Sequence, residues 1–160
     1  MPKVVVDTTP IISLLTIDSL ELLEKIYHTI IVPKAVFDEL EEGIAKPYTD
    51  ISHYPWISII EISQPQKVTP IAGLDKGELE VILLAEELKC DLIVMDELMG
   101  RTQARKLGIP LTGTIGVLLR AKSLNLIPEI KPLLTELVDK GRWINKKLMD
   151  KALELAGETV

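Results

Sequence analysis

The chain has 160 residues, 47% apolar and 26% charged, with 18 basic and 24 acidic side chains and a net charge of −6. Those values suit one globular domain and exclude a disordered or fibrous chain, as well as a surface covered throughout in basic charge for nucleic acid. The single Cys90 excludes an internal disulfide and a multi-cysteine zinc site, and the absence of a long uncharged apolar run excludes a signal peptide and a membrane span, so the expectation is a soluble, cytoplasmic domain.

In chain order, a strand is predicted over 4–6 and a helix over 11–15. A second helix over 19–26 has Asp18 or Ser19 as its cap, and a strand follows over 29–32. Pro33 marks the start of a helix over 34–42. Residues 43–73 carry Pro47, Pro55, Pro65 and Pro70 and read as the loosest part, built around a strand over 56–60. A helix over 75–88, a strand over 92–95, a helix over 98–107 and a short strand over 109–112 come next. Helices over 114–124, 130–138 and 146–156 complete the chain, the last capped by Asn145. The strands are nearly continuous apolar runs, the pattern of parallel strands buried on both faces. The fold class is therefore α/β, a three-layer α/β/α sandwich with right-handed crossovers, in a single domain spanning 1–160. The helices from about residue 130 follow the sheet and pack on its side or on a partner chain.

Ligands of open parallel sheets bind beyond the carboxyl ends of the strands, and two acids stand there. Asp7 directly follows the first strand and Asp96 the fourth; each could also simply end its strand and cap a helix. If the strands are neighbours, the two charges repel unless a cation intervenes. Glu78 shares its helix face with Leu74, Val81, Ile82 and Ala85, while Lys76, Glu80 and Glu87 fall opposite; an ionised acid on an apolar face needs a partner or a metal. Asp75-Lys76-Gly77-Glu78 also has the spacing of a capping box, which does not exclude a second role. Glu39 follows Ala35 and Val36 by a helical turn and leans the same way, whereas Asp38, Glu41 and Glu42 read as solvated. Four acids without a nearby histidine suit a hard cation such as Mg²⁺ or Mn²⁺. His28 and His53 have no ligand spacing and read as structural, and no phosphate-binding P-loop is present. Gly113-Thr114-Ile115-Gly116 opens a helix, either as a tight turn with a threonine cap or as backbone donors for a phosphate.

Four blocks, Asp7-Thr8-Thr9-Pro10, Pro33 to Glu39-Leu40, Leu74 to Glu78, and Val94-Met95-Asp96-Glu97, resemble in order and spacing the acidic blocks of PIN-domain nucleases. The runs 100–108 and 112–119 resemble a prokaryotic branch similar to VapC-type toxin ribonucleases, the toxin halves of toxin–antitoxin pairs. The resemblance implies a five-stranded parallel sheet in the order 3-2-1-4-5, which sets Asp7 beside Asp96. It implies Mg²⁺- or Mn²⁺-dependent endonucleolytic hydrolysis of RNA by Asp7, Glu39, Glu78 and Asp96, as catalytic and metal-binding acids. Thr9 is carried over as a polar helper, and Glu97 supplements or replaces a ligand. Glu78 stands where many members have Asp, and Met95 where Ser or Thr is common. A small antitoxin protein and a second copy of the chain are the implied partners, besides the RNA. An acidic cleft repels RNA without its cation, so phosphate contacts fall to the rim. There Arg101 and Arg105 lie one helical turn apart after Asp96, and either bind RNA or pair with Glu97. Arg120 and Lys122 extend that rim, while Arg142, Lys146 and Lys147 read as a solvated face. The alternative is a catalytically weak PIN-like protein that holds an antitoxin or RNA. A haloacid-dehalogenase-type phosphohydrolase would need an Asp where Thr9 stands.

Overall fold

Five short β-branched and apolar runs form the sheet: β1 (Val4–Val6), β2 (Ile30–Pro33), β3 (Ile57–Ile60), β4 (Leu92–Val94) and β5 (Leu111–Thr112). The computed structural model describes residues 1–42 and 50–159, so the first part of the proline-rich stretch, with Pro47, lies outside the described residues. Every strand pair is parallel and the order is β3-β2-β1-β4-β5, as the family resemblance implied. In the central pair, Val4, Val5 and Val6 stand level with Leu92, Ile93 and Val94. All three valines of β1 are buried, which is why that strand shows no polar alternation.

Eight helices accompany the strands among the described residues: α1 (Thr8–Thr16), α2 (Leu22–Tyr27), α3 (Lys34–Glu41), α4 (Lys76–Glu87), α5 (Leu98–Lys106), α6 (Thr114–Ser123), α7 (Lys131–Asp139) and α8 (Lys146–Ala156). Helix α4 packs on α3, α5 and the strands β1, β2 and β4, while α6 packs on α1, α2 and α8. Leu134, Leu137, Ala152 and Leu153 bury the inner faces of α7 and α8 in the same core as the sheet. No described helix is long and apolar enough to cross a membrane.

Helix α1 begins three residues earlier than predicted, because Pro10 falls in the first turn, where a missing N–H breaks no bond. Helix α2 begins three residues later, and neither Asp18 nor Ser19 caps it. Asp18 adopts a left-handed φ of 50°, and the Ser19 hydroxyl donates to the Ile17 carbonyl. Asn145 does cap α8, its Oδ1 accepting from the Leu148 N–H at 2.7 Å.

Glu80 departs most from the helical-wheel reading. It is buried, and its Oε1 accepts from the Ala35 N–H at 3.1 Å. That N–H is one of the donors at the start of α3 that no residue within the helix can satisfy, and Pro33 offers no side-chain cap. Because α3, which also packs on β2 and β3, lies alongside α4, the face of α4 that carries Glu80 is an interior face too. Glu80→Ala should cost about 1–3 kcal/mol of stability by leaving this N–H buried and unpaired, whereas Glu80→Gln keeps an acceptor and should cost less. Urea denaturation of the two variants against wild type measures the difference.

Candidate active site

Asp7, Thr8, Thr9, Glu39, Asp75, Glu78 and Glu97 converge on one cavity of about 460 Å³ at the carboxyl edge of the sheet. Asp7 ends β1, Glu39 comes from the last turn of α3, Asp75 and Glu78 from the first turn of α4, and Glu97 from the residue before α5. Asp7 is only 2% exposed. Its backbone N–H donates to the Val94 carbonyl, extending the β1–β4 ladder, and its side chain makes no capping hydrogen bond to α1. Helix capping therefore does not account for this carboxylate.

Glu39 is half-buried, and its Oε2 accepts from the Thr8 hydroxyl at 3.2 Å. It reaches that position because residue 77 is glycine: a Cβ there would collide with Glu39 Oε1. Glu78, 6% exposed, completes a capping box: its Oε1 accepts from the Asp75 N–H at 2.9 Å while Asp75 Oδ1 accepts from the Glu78 N–H at 2.8 Å. The box and the cleft thus share the same two side chains.

Crowding shows in the titration of these groups. Burial, and then the charges of Glu78, Asp75 and Glu39, push the Asp7 carboxyl up to about 8, against the pull of the neighbouring Thr8 N–H. Burial and the charge of Asp75 raise Glu39, and burial, Asp75 and Glu97 raise Glu78. Five carboxylates around one cavity, three of them shifted toward the neutral form, are a donor set whose chemistry fits a hard divalent cation. Among the described residues, no three of these groups already converge as a finished ion cage. Glu78 is turned back to the backbone of Asp75, and Glu39 is held by Thr8.

Asp96 takes a different place. Its Oδ1 accepts from the Thr114 N–H at 2.8 Å, its Oδ2 from the Thr114 hydroxyl at 2.6 Å, and Oδ2 pairs with Arg142 Nη2 at 3.2 Å. It lines a neighbouring cavity rather than the one around Asp7. The cause is register. With Val6 level with Val94, Asp7 is level with Met95, and the strand's period of two sends residue 96 to the other side and brings Glu97 back. Asp96 thereby supplies the cap that Gly113 cannot, and Thr114 is the first residue of α6 and receives the cap. Arg101 also faces the Asp96 side, its Nη1 donating to the Met95 carbonyl at 2.9 Å, and Arg105 is exposed on the same helix. Neither forms the ion pair with Glu97 that their spacing allowed, among the described residues.

Sequence reasoning missed three contributors. Asp75 joins the cleft besides capping α4. Arg142, read as part of a solvated face, is half-buried and bonds both Asp96 and the Ser13 hydroxyl. Trp143 borders the Asp96 cavity and attracted no reading. Lys122, assigned to the rim, instead ties the Ala156 carbonyl and Glu158 to α6. Asp75 was legible as part of its motif; the others depend on contacts too distant in sequence to be read.

A five-stranded parallel sheet with its switch in strand order between β1 and β4, and carboxylates gathered at that edge, defines an α/β protein with an acidic strand-end site. The chain belongs to the PIN-domain family: a family model described as PIN domain matches residues 3–158. PIN domains are generally metal-dependent nucleases. Among solved structures, a PilT N-terminus domain protein, SSO1118, from the hyperthermophilic archaeon Sulfolobus solfataricus P2 is similar with a TM-score of 0.55 and 14% identity, over 72% of this chain and 89% of that one. The PIN domain endonuclease Utp24 is similar with a TM-score of 0.53 and 18% identity, over 69% of this chain and 84% of that one. At those identities the likeness is one of fold. No curated protein matches the chain.

Two outcomes follow from the crowded acids. An acid whose folded pKa lies above its unfolded value binds more protons when folded, so the stability it contributes is full below the unfolded pKa and is lost as pH rises through the folded one. For Asp7 that window runs from about pH 4 to about pH 8, and the raised Glu39 and Glu78 act in the same sense. Metal-free protein should therefore lose thermal stability across this window relative to Asp7→Asn, and saturating Mn²⁺ should reduce the loss; melting curves at pH 5 and pH 8 test both. Gly77→Ala should fold, since alanine is favoured in helices by about 0.5–1 kcal/mol over glycine, but it should swing Glu39 out of the cleft. Calorimetric titration should show weakened Mn²⁺ binding with an unchanged or raised melting temperature.

Proposed function

We propose that the chain is a metal-dependent endoribonuclease whose reaction takes place in the Asp7 cleft. The observation that carries this reading is the buried Asp7 carboxylate, free of any capping bond and pushed up to about 8 by burial and by the acids around it. Asp7, Glu39, Glu78 and Glu97 would hold a Mg²⁺ or Mn²⁺ ion, with Asp75 completing the negative field. A bound divalent ion lowers the pKa of a coordinated water and offsets charge on a phosphodiester. The protein's own part is positional. Thr8 and Gly77 place Glu39, and the capping box keeps Glu78 at the mouth of α4. Thr9 offers a hydroxyl at the rim, and Asp96 fastens α6 while Arg101 and Arg105 supply positive charge toward the RNA backbone. The cleft repels RNA until the cation offsets its charge, so metal binding and substrate binding are coupled.

The sequence resemblance to VapC-type toxins supports a role as the toxin of a toxin–antitoxin pair, acting as a homodimer that a small antitoxin holds silent. The alternative is a slow PIN-like binding protein, and one observation favours it: Asp96 is already engaged by Thr114 and Arg142. The two readings separate on Asp7→Asn, which keeps the side-chain shape and removes the charge. With saturating Mn²⁺, wild type should cleave RNA and Asp7→Asn should be slower by about a hundredfold or more, with its fold intact by melting temperature. Equal cleavage by both proteins would remove the reaction from this cleft. No cleavage by either, with RNA or a protein partner still bound, would establish the binding protein.

A further inference from the structure

A second cavity, of about 420 Å³, opens beside the acidic cleft on the other side of the connection between β4 and α5. Consecutive residues of that connection serve the two spaces: Asp96 lines this one and Glu97 lines the other. One wall is cationic, formed by Arg101 and Arg142. Apolar lining comes from Trp143 and Ile144, in the segment leading into α8, and from Leu148 in the first turn of α8. Trp143 is 79% exposed, in a chain with only two tryptophans, three tyrosines and one phenylalanine. A large aromatic ring left in water beside two guanidinium groups is matched by a ligand that is itself half aromatic and half anionic.

We propose that this cavity seats one nucleotide of a single-stranded RNA, its base stacked on Trp143 and its phosphate drawn to Arg101 and Arg142. This rests on the nuclease reading and deepens it, because it sets the strand's path: the nucleotide here leads over the β4–α5 connection and delivers the adjoining phosphodiester to the Asp7 cleft. Charge selects this occupant over an apolar patch on a second copy of the chain. Two guanidinium groups outnumber the one carboxylate in the cavity, and Asp96 is further satisfied by two hydrogen bonds from Thr114. Each guanidinium carries five N–H donors. Arg101 uses Nη1 on the Met95 carbonyl, and Arg142 uses Nη1 on Ser13 and Nη2 on Asp96, so these bonds leave N–H groups on each guanidinium for an anion in the cavity that both line. The N-terminus of α6 has no part in the proposal, since Asp96 already caps it. Stacking accepts any base, so the subsite gives affinity and register on unpaired RNA rather than sequence choice.

The test uses the full chain, a ten-nucleotide oligoadenylate and Ca²⁺ to offset the acidic cleft. Trp56 is buried, so quenching of tryptophan emission on titration reports Trp143. RNA should quench the wild type. Trp143→Ala should abolish the quench and weaken binding about tenfold, Trp143→Phe should restore part of the affinity, and the melting temperature should not fall because the ring is solvent-exposed. Arg142→Ala should lower the slope of log Kd on log salt by about 0.7 for one lost contact to a single strand. Unchanged affinity in Trp143→Ala, with Mn²⁺-dependent RNA cleavage retained by wild type, would overturn this subsite and leave the nuclease reading standing. Unchanged affinity together with a loss of dimer in Trp143→Ala would assign the ring to a second copy and equally overturn it. Quenching and weakened binding without cleavage by wild type would uphold the subsite and remove the nuclease reading.

Discussion

The parallel pairing of β1 with β4 sets Val6 level with Val94, and from that register follow the directions of Asp7, Asp96 and Glu97. Side chains alternate along extended backbone, so Asp7 and Asp96 leave adjacent strands on opposite sides while Glu97 rejoins Asp7. One residue of offset between Asp7 and Asp96, on strands that are themselves level, therefore divides the acidic edge into two spaces. One holds only carboxylates and hydroxyls of threonine among its polar side chains. The other mixes a single carboxylate with two arginines.

Holding so many carboxylates together is unfavourable, and the surrounding structure offsets the cost with ordinary helix-terminus chemistry. Glu78 and Asp75 satisfy each other's backbone N–H groups. Glu80 satisfies the first turn of α3 from the neighbouring helix, and so positions the helix that carries Glu39. Gly77, at the crossing of α3 and α4, leaves the space that the Glu39 carboxylate occupies. These contacts tie the site to two helices that pack directly on each other. The residual strain is electrostatic, and it falls on Asp7, which lies deepest among the five acids. A divalent cation bound among these acids would offset that cost.

The β4–α5 connection links the two spaces. Arg142 reaches across from the loop after α7 to Asp96 and also to Ser13 on α1, so the C-terminal helices are fastened to the same edge as the acids. The late helices thus line a cavity as well as burying side chains in the core. That fastening accounts for the partial burial of Arg142, while Trp143, the next residue, projects into water.

Much of this was present in the one-dimensional pattern. Continuous β-branched runs between helical periods required a parallel sheet covered by helices, because only strands buried on both faces need no polar alternation. Glu39 and Glu78 were marked by lying on apolar faces, where a lone charge is costly, and the capping-box spacing at Asp75 was legible from four residues. These are local facts, decided within one or two helical turns. The strand order came from resemblance to a family, since composition and periodicity do not say which strands adjoin. Tertiary structure alone decided the rest. Glu80 is buried because α3 covers the second face of α4, which no single-helix periodicity can register. Asp96 faces Thr114 and Arg142 instead of Asp7 because strand register, a relation between segments some ninety residues apart, determines the side to which a side chain turns. Local propensity acts over a few residues, whereas the direction of a strand-end carboxylate is settled only when its neighbour is in place.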